Sequence, residues 1–371
     1  MLYALLYEYF RDVSLFGLNL YDKFGKLLVR SAGAAVTAFA LSVLFGPVLI
    51  RFLKRRGVRE KVEKNPDVLK QHNSSKANVP TMGGILIVGA IVLSTAFWGR
   101  LDYYYVLMAL LTTLILGLVG FIDDWIKLTE RNRKGMTLVA KILPQATLGL
   151  LLGIFLLRHS SLHGYEKTGC LIIPFITNAS ICLGVLYIFL VAGVITASSN
   201  AVNLTDGLDG LAAGCTLTVA LAFTAFAYLV GRTDYSAYLG VTHVPGSSEL
   251  TVFCAAIVGA ALGFLWFNCH PAHVFMGDTG ALPLGGAIGY VAVVLKHELV
   301  LLVAGGVFVL EALSVIIQVA YFKRTRKRVF LCAPIHHHFI FKGWTETQVT
   351  VRLWLLSAIF ALVSLAALKI H

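Results

Sequence analysis

The sequence predicts an all-α, polytopic integral membrane protein: about ten transmembrane helices forming one domain over residues 1–371. Three observations carry that expectation. Of 371 residues, 58% are hydrophobic and 13% charged, whereas a soluble domain of this length carries roughly a quarter charged residues. Apolar runs of bilayer length, about 20 residues, recur along the chain. Basic residues gather in alternate loops, as the positive-inside rule requires.

The expected spans are 27–50, 81–98, 104–123, 138–157, 178–197, 210–230, 250–267, 280–296, 299–322 and 350–369. Ahead of the first, Glu8, Arg11 and Asp12 interrupt the apolar residues, and no short basic start or A-x-A site is visible. Residues 1–26 therefore read as an amphipathic segment on the membrane surface, not a cleaved signal. The first span runs into the basic stretch "RFLKRR", and the third ends in the acidic pair "GFIDDW". Polar "TNAS" interrupts the apolar run from Leu171 and blurs the start of the fifth. The ninth encloses Glu311 in "VLEALSV", an intramembrane acid whose role the sequence leaves open.

A net charge of +12 could suggest nucleic acid, but its distribution argues against that partner. Loops 51–80, 124–137, 198–209, 268–279 and 323–349, which follow the odd-numbered spans, hold nineteen of the 31 Lys and Arg. That assigns them to the cytoplasm and both termini to the outer side. "LKRR" and "KRTRKR" read as topology anchors, and the excess also attracts anionic lipid and an anionic substrate. The six cysteines are scattered singly without C-x-x-C spacing and read as small core residues, not as a disulfide framework or zinc site.

Five polar clusters stand out: "KANVPTMGG" (76–84), Asp123 with Asp124, "NLTDGLDGLAAG" (203–214), "NCHPAHVFMGDTG" (268–280) and "APIHHHFIFKGW" (333–344). Each falls in or beside one of the five basic-side loops, which predicts one site at the cytoplasmic face. Acids near hydrocarbon are costly and are usually kept for function. Adjacent Asp123 and Asp124 diverge by about 100° on a helix, whereas Asp206 and Asp209 would share a face if their stretch were helical. Asp278 follows Gly277, where backbone could approach a ligand closely. These acids suit a hard cation such as Mg²⁺ beside substrate phosphates; no H-E-x-x-H appears, and three consecutive histidines do not easily converge on one zinc. Lys76, Lys141, the histidines and the Gly-rich turns could face phosphate oxygens. Together they point to phosphoryl transfer between a water-soluble and a lipid substrate.

Plainer roles compete at each position: a helix cap at Asp278, a turn at the Asp-Gly pairs, an ion pair of the acidic pair with Lys127, and loop or headgroup polarity for the histidines.

"PTMGG", "GFIDDW", "NLTDGLDGLA", "FNCHPAHVFMGDTGALPLGG" and "PIHHHFIFKGW", in this order, resemble the polyprenyl-phosphate N-acetylhexosamine-1-phosphate transferases, in their phospho-N-acetylmuramoyl-pentapeptide branch. The resemblance runs from about residue 20 to the C-terminus. It implies a ten-helix fold, commonly a homodimer, in the bacterial inner membrane. It also implies Mg²⁺-dependent attack of undecaprenyl phosphate on the β-phosphate of UDP-MurNAc-pentapeptide, giving UMP and lipid I for peptidoglycan synthesis.

Carried over residue by residue, Asp278 matches the metal-binding aspartate, and Asp123 and Asp124 the acidic pair. Asp123 would act on the lipid phosphate, as base or by positioning, or one acid would be a covalent nucleophile. Asn203 and Asp206 match polar cleft residues; Gly207, Leu208 and Asp209 match the uridine-side pocket, with Lys76 and Phe275 beside it. Thr81, Lys141 and Asn268 match further cleft positions. His336, His337 and His338 match the histidine run on the diphosphate or sugar-phosphate side, with His337 among the catalytic group. Val79 stands where the family commonly has Thr.

Two rival functions are a transporter, disfavoured because the acids lie at one face and no inverted repeat is visible, and a sibling enzyme using UDP-GlcNAc. "PTMGG" and "PIHHHFIFKGW" separate the chain from that sibling.

Overall fold

A computed structural model describes residues 14–15, 18–19, 25–58, 79–129, 135–162, 168–174, 176, 179–366 and 368. The helices are α1 (Leu27–Arg55), α2 (Gly84–Trp98), α3 (Tyr104–Thr129), α4 (Leu138–Leu162), α5 (Tyr187–Thr205), α6 (Leu211–Val230), α7 (Thr233–Leu239), α8 (Leu250–Asn268), α9 (Asp278–Val294), α10 (Glu298–Ala304), α11 (Gly306–Thr325), α12 (Ile335–Phe341) and α13 (Glu346–Ala366). Eight of them are long and apolar enough to cross a membrane, and α2 and α9 are shorter at 15 and 17 residues. These ten fall on the ten expected runs, so the chain is an all-α polytopic membrane protein. Two-residue strands β1 (Ser14–Leu15) and β2 (Leu18–Asn19) pair within the expected interfacial segment, the rest of which lies outside the described residues apart from positions 25 and 26.

Three local expectations are corrected. The fifth helix starts at Tyr187, not near 178, because the preceding chain forms an antiparallel hairpin of β3 (Cys170–Ile172) and β4 (Ser180–Cys182). That register sets Cys170 opposite Cys182, and the two form a disulfide, contrary to the all-reduced reading. Cys215 and Cys254 are buried as expected, while Cys269 is exposed. The ninth run breaks between α10 and α11 at Gly305 and Gly306, where the Gly306 backbone packs against the Phe360 ring and leaves no room for a Cβ.

Packing centres on α8 and α9. Every residue of α9 is buried, and α8 is nearly so. α8 lies along α1, α2 and α6, whereas α9 lies between α3 and α5. Small residues let these backbones touch, as membrane helices require when lipid is as apolar as Leu: Gly259 and Gly263 of α8 rest on Ala35, Phe39 and Ser42 of α1. Large apolar side chains point outward instead, among them Leu44, Leu138, Phe189, Ile316 and Leu362, giving the lipid-facing surface such a bundle needs.

At the end holding the starts of α1, α5 and α8, buried polar groups close on one another. The Arg30 guanidinium donates to both Glu249 oxygens at 2.7 Å. The Lys296 ammonium lies 3.9 Å from the Tyr187 ring centroid and donates to the Thr168 carbonyl, and the Tyr187 hydroxyl donates to Glu298.

Candidate active site

The opposite end gathers the starts of α2, α4, α6 and α9 with the ends of α3, α5 and α8. Asp124, on the last turns of α3, reaches across to the N-terminus of α9. It accepts from the Asp278 backbone N–H at 3.2 Å, the Thr279 N–H at 2.9 Å and the Thr279 hydroxyl at 2.6 Å. A carboxylate there satisfies orphan helix donors and meets the positive end of the dipole. The cap expected at Asp278 is thus supplied by Asp124 from another helix, which frees the Asp278 side chain. Gly277, at φ +70°, requires glycine: a Cβ would lie 2.6 Å from Asp124 Oδ2 and 3.1 Å from the Thr81 hydroxyl.

Asp123 diverges from Asp124 as its neighbouring helical position dictates. Its Oδ1 accepts from the Met136 N–H at 2.7 Å, and its Oδ2 lies 2.7 Å from the Lys127 ammonium. Lys127 also reaches Asp278 Oδ2 at 2.9 Å and Asp124 Oδ1 at 3.6 Å. Lys141 is 2.7 Å from the same Asp278 oxygen and donates to Asn203 Oδ1 at 3.1 Å; the Asn203 amide donates to the other Asp278 oxygen. Asp123, Asp124 and Asp278 are 2%, 3% and 6% exposed.

Three buried carboxylates therefore face two ammoniums, an excess negative charge that is costly without a cation. One oxygen from each acid lies within 4.8 Å of the others. An all-oxygen, acidic donor set fits Mg²⁺ and not zinc.

The uridine-side candidates divide. α5 stops at Thr205, and residues 206–210 form turns, so Asp206 and Asp209 do not share a helical face. Asp206 closes α5, Gly207 is exposed, and the Leu208 side chain enters the core. Asp209 instead turns to the loop after α8. Its Oδ2 is 3.0 Å from His270 Nδ1 and accepts from the Ala272 N–H at 3.2 Å, while its own N–H donates to Glu346 at 2.9 Å. Asp209, His270 and Glu346 form a second acid and histidine group.

Asn268 ties the two loops together, accepting from the Gly210 N–H at 3.1 Å and donating to the Val274 carbonyl at 2.8 Å. Phe275 pairs its backbone with Pro80 and Gly83 at 2.8 Å, which brings Thr81 beside Gly277. Lys76 lies outside the described residues.

The histidines sit on α12 and do not converge. His336 is fully buried, with Nδ1 3.0 Å from Glu311 Oε2, which accounts for the acid left open by the sequence. The His337 ring, half-buried, lies 4.2 Å from that of His336. His338 Nδ1 accepts from the Leu331 N–H at 3.1 Å, and burial together with Lys342 lowers its imidazole below the ordinary range.

Sequence reasoning treated Lys127 only as an ion-pair partner and passed over Thr279, His270 and Glu346. For Lys127 the signal was present: it follows Asp123 by four residues, one helical turn, and Asp124 by three.

Buried acids and lysines gathered at one end of a polytopic helical bundle suit a membrane-embedded transferase. Residues 106–296 match the family model of glycosyl transferase family 4, about half of the chain. A phospho-N-acetylmuramoyl-pentapeptide-transferase of Granulibacter bethesdensis is 48% identical over 375 residues, 100% of both chains. Proteins of the same name from Ruegeria pomeroyi and Desulfotalea psychrophila are 47% and 45% identical, the first over 96% of this chain and 97% of its own, the second over 100% of both. The chain belongs to the phospho-N-acetylmuramoyl-pentapeptide-transferase family.

Proposed function

We propose that the protein transfers phospho-MurNAc-pentapeptide from UDP-MurNAc-pentapeptide to undecaprenyl phosphate, giving lipid I and UMP, with Mg²⁺ as cofactor. A lipid phosphate oxygen bonds to the β-phosphorus as the bond to the UMP oxygen breaks, and UMP leaves with that electron pair. The observation carrying this reading is the buried excess of carboxylates, Asp123, Asp124 and Asp278, against Lys127 and Lys141.

Asp278 holds the metal, with Asn203 and Lys141 orienting its two oxygens. Bound there, Mg²⁺ supplies charge neutralisation for the diphosphate. Asp123 positions or deprotonates the lipid phosphate, and Asp124 serves the site through its cap on α9. Lys127 is placed to turn from the acids toward phosphate oxygens. Lys76, Thr81, Gly207, Leu208, Asp209, Asn268 and Phe275 serve the uridine side, with Asp206 in the cleft between. His336, His337 and His338 serve the diphosphate side.

The protein is a single transmembrane domain in the bacterial cytoplasmic membrane, surrounded by membrane lipid, and works as a homodimer with its site facing the cytoplasm. Two features support that orientation: the basic loops at the acid end, and the Cys170–Cys182 disulfide at the other end, since such bonds persist on the oxidising side.

The test is UMP release by detergent-purified protein given undecaprenyl phosphate and either UDP-MurNAc-pentapeptide or UDP-GlcNAc, with Mg²⁺ or EDTA. Mg²⁺-dependent UMP from the first donor alone is expected. UMP from UDP-GlcNAc alone would move the protein to the sibling activity, and none from either would end the transferase reading.

A further inference from the structure

The last span, α13, lies along α6 and α10, yet its inward face is not wholly apolar. Glu346 and Thr350 are buried and Trp354 is half-buried. Spaced four residues apart, the three stack on one face of the helix. Polar side chains on a membrane helix are costly unless each finds a partner on a neighbour.

All three find theirs in one place, the turn between α5 and α6. Glu346 Oε1 accepts from the Asp209 N–H at 2.9 Å, and the Thr350 hydroxyl donates to the Asp209 carbonyl at 3.4 Å. The Trp354 indole N–H donates to the Gly210 carbonyl at 3.1 Å, beside the bond that carbonyl takes from Gly214 at the start of α6. The remaining group, the Gly210 N–H, donates to Asn268 at 3.1 Å. Within the turn only the Leu211 N–H closes on the Leu208 carbonyl, at 3.1 Å. Every backbone polar group of Asp209 and Gly210 is thus met by a side chain from outside, three of the four from α13. The fit is close on the other side as well, since a Cβ on Gly214 would overlap the indole nitrogen.

We propose that Glu346, Thr350 and Trp354 are positioning residues, through which the last helix sets the turn that recognises the donor's nucleoside. They act through the backbone of Asp209 and Gly210, not by contact with substrate. The inference rests on the transferase reading, in which residues 207–209 serve the uridine side, and deepens it.

The experiment compares Glu346→Ala, Glu346→Gln, Trp354→Phe and Thr350→Val in detergent, with Ser357→Ala as control. Ser357 lies further along α13 and shares a 2.6 Å hydrogen bond with Thr218 of α6, away from the turn. Calorimetry reads UDP affinity, lipid I formation reads kcat and the KM for each substrate, and melting reads stability. Glu346→Ala should weaken UDP binding and raise donor KM about tenfold or more, the scale of a hydrogen bond to a charged group. Trp354→Phe should cost about fivefold, and Thr350→Val, whose bond is longer, about two- to threefold. In all three, kcat and the KM for undecaprenyl phosphate should move less than about twofold. Glu346→Gln, whose side-chain carbonyl still accepts from the Asp209 N–H, should recover most of the loss. Ser357→Ala should lower the melting temperature with donor KM unchanged within about twofold.

Normal donor KM and UDP affinity in folded Glu346→Ala would overturn the inference. So would a loss shared equally with undecaprenyl phosphate, or one matched by Ser357→Ala. If Glu346→Ala does not fold, Trp354→Phe decides by the same criteria. Failure of the wild-type protein to bind UDP would instead count against the transferase reading itself.

Discussion

The two ends of the bundle bury charge in opposite ways. At one end Arg30 and Glu249 satisfy each other through two parallel bonds, and Lys296, Tyr187 and Glu298 close on neighbouring groups. At the other, Asp123, Asp124 and Asp278 crowd around Lys127 and Lys141 with negative charge to spare. A balanced pair can hold helices together without any further component. An unbalanced cluster stores repulsion that packing elsewhere must overcome, which is how sites for cations and phosphates are maintained. Charge balance, more than burial, separates scaffold from site in this chain.

That contrast can be broken by substitution. The largest effect belongs to Asp278→Ala, expected to lower turnover by about 10³-fold or more while leaving the melting temperature near that of the parent. Near-normal turnover at ordinary Mg²⁺ would remove Asp278 from the metal. Arg30→Met should do the reverse. With Glu249 left buried and unpaired, stability should fall by about 3–5 kcal/mol, read by thermal melting in detergent, with turnover per folded molecule unchanged within about twofold. A loss of turnover without a loss of stability would erase the distinction between the ends.

Asp124→Ala should sit between these two. It removes the cap on α9, costing about 1–2 kcal/mol in the melt, and disorients Asp278, costing about 10–100-fold in turnover. A change in only one of those readouts would assign Asp124 wholly to scaffold or wholly to site. Lys327→Ala, on the exposed basic stretch beyond α11, should leave turnover nearly unchanged; a tenfold loss would extend the site to a region treated as anchor.

Much of this was legible before any coordinates. Bilayer-length apolar runs locate helices because a membrane leaves the backbone few other ways to satisfy its hydrogen bonds, and ten of the thirteen helices fall accordingly. Acids beside apolar runs announced Asp123, Asp124 and Asp278 for the same energetic reason. What stayed hidden depends on contacts distant in sequence. Cys170 and Cys182 carry no spacing signal, and only the hairpin register brings them together. Asp209 is near enough to Asp206 for a shared helical face, yet a turn sends it to His270 and Glu346. Glu311 had no visible partner because His336 lies 25 residues away on another helix. Lys127 reads from the sequence as the partner of the adjacent acidic pair, whereas the meeting of α3 and α9 sets it against a third acid, Asp278.

The two short helices carry a consequence of their own. Fifteen residues rise about 22 Å in α2 and seventeen about 26 Å in α9, against a hydrocarbon slab of about 30 Å. Both end level with the Arg30 and Lys296 groups, so both fall short at the acid end. Residues 79–83 and 269–277 lead into the two helices at that end, beside the acid cluster. Under the proposed function, a phosphate riding on a lipid chain would reach the carboxylates from the side of the bundle, while a soluble molecule would enter from its end. The shortness of two helices would then set the depth at which two immiscible worlds come into register.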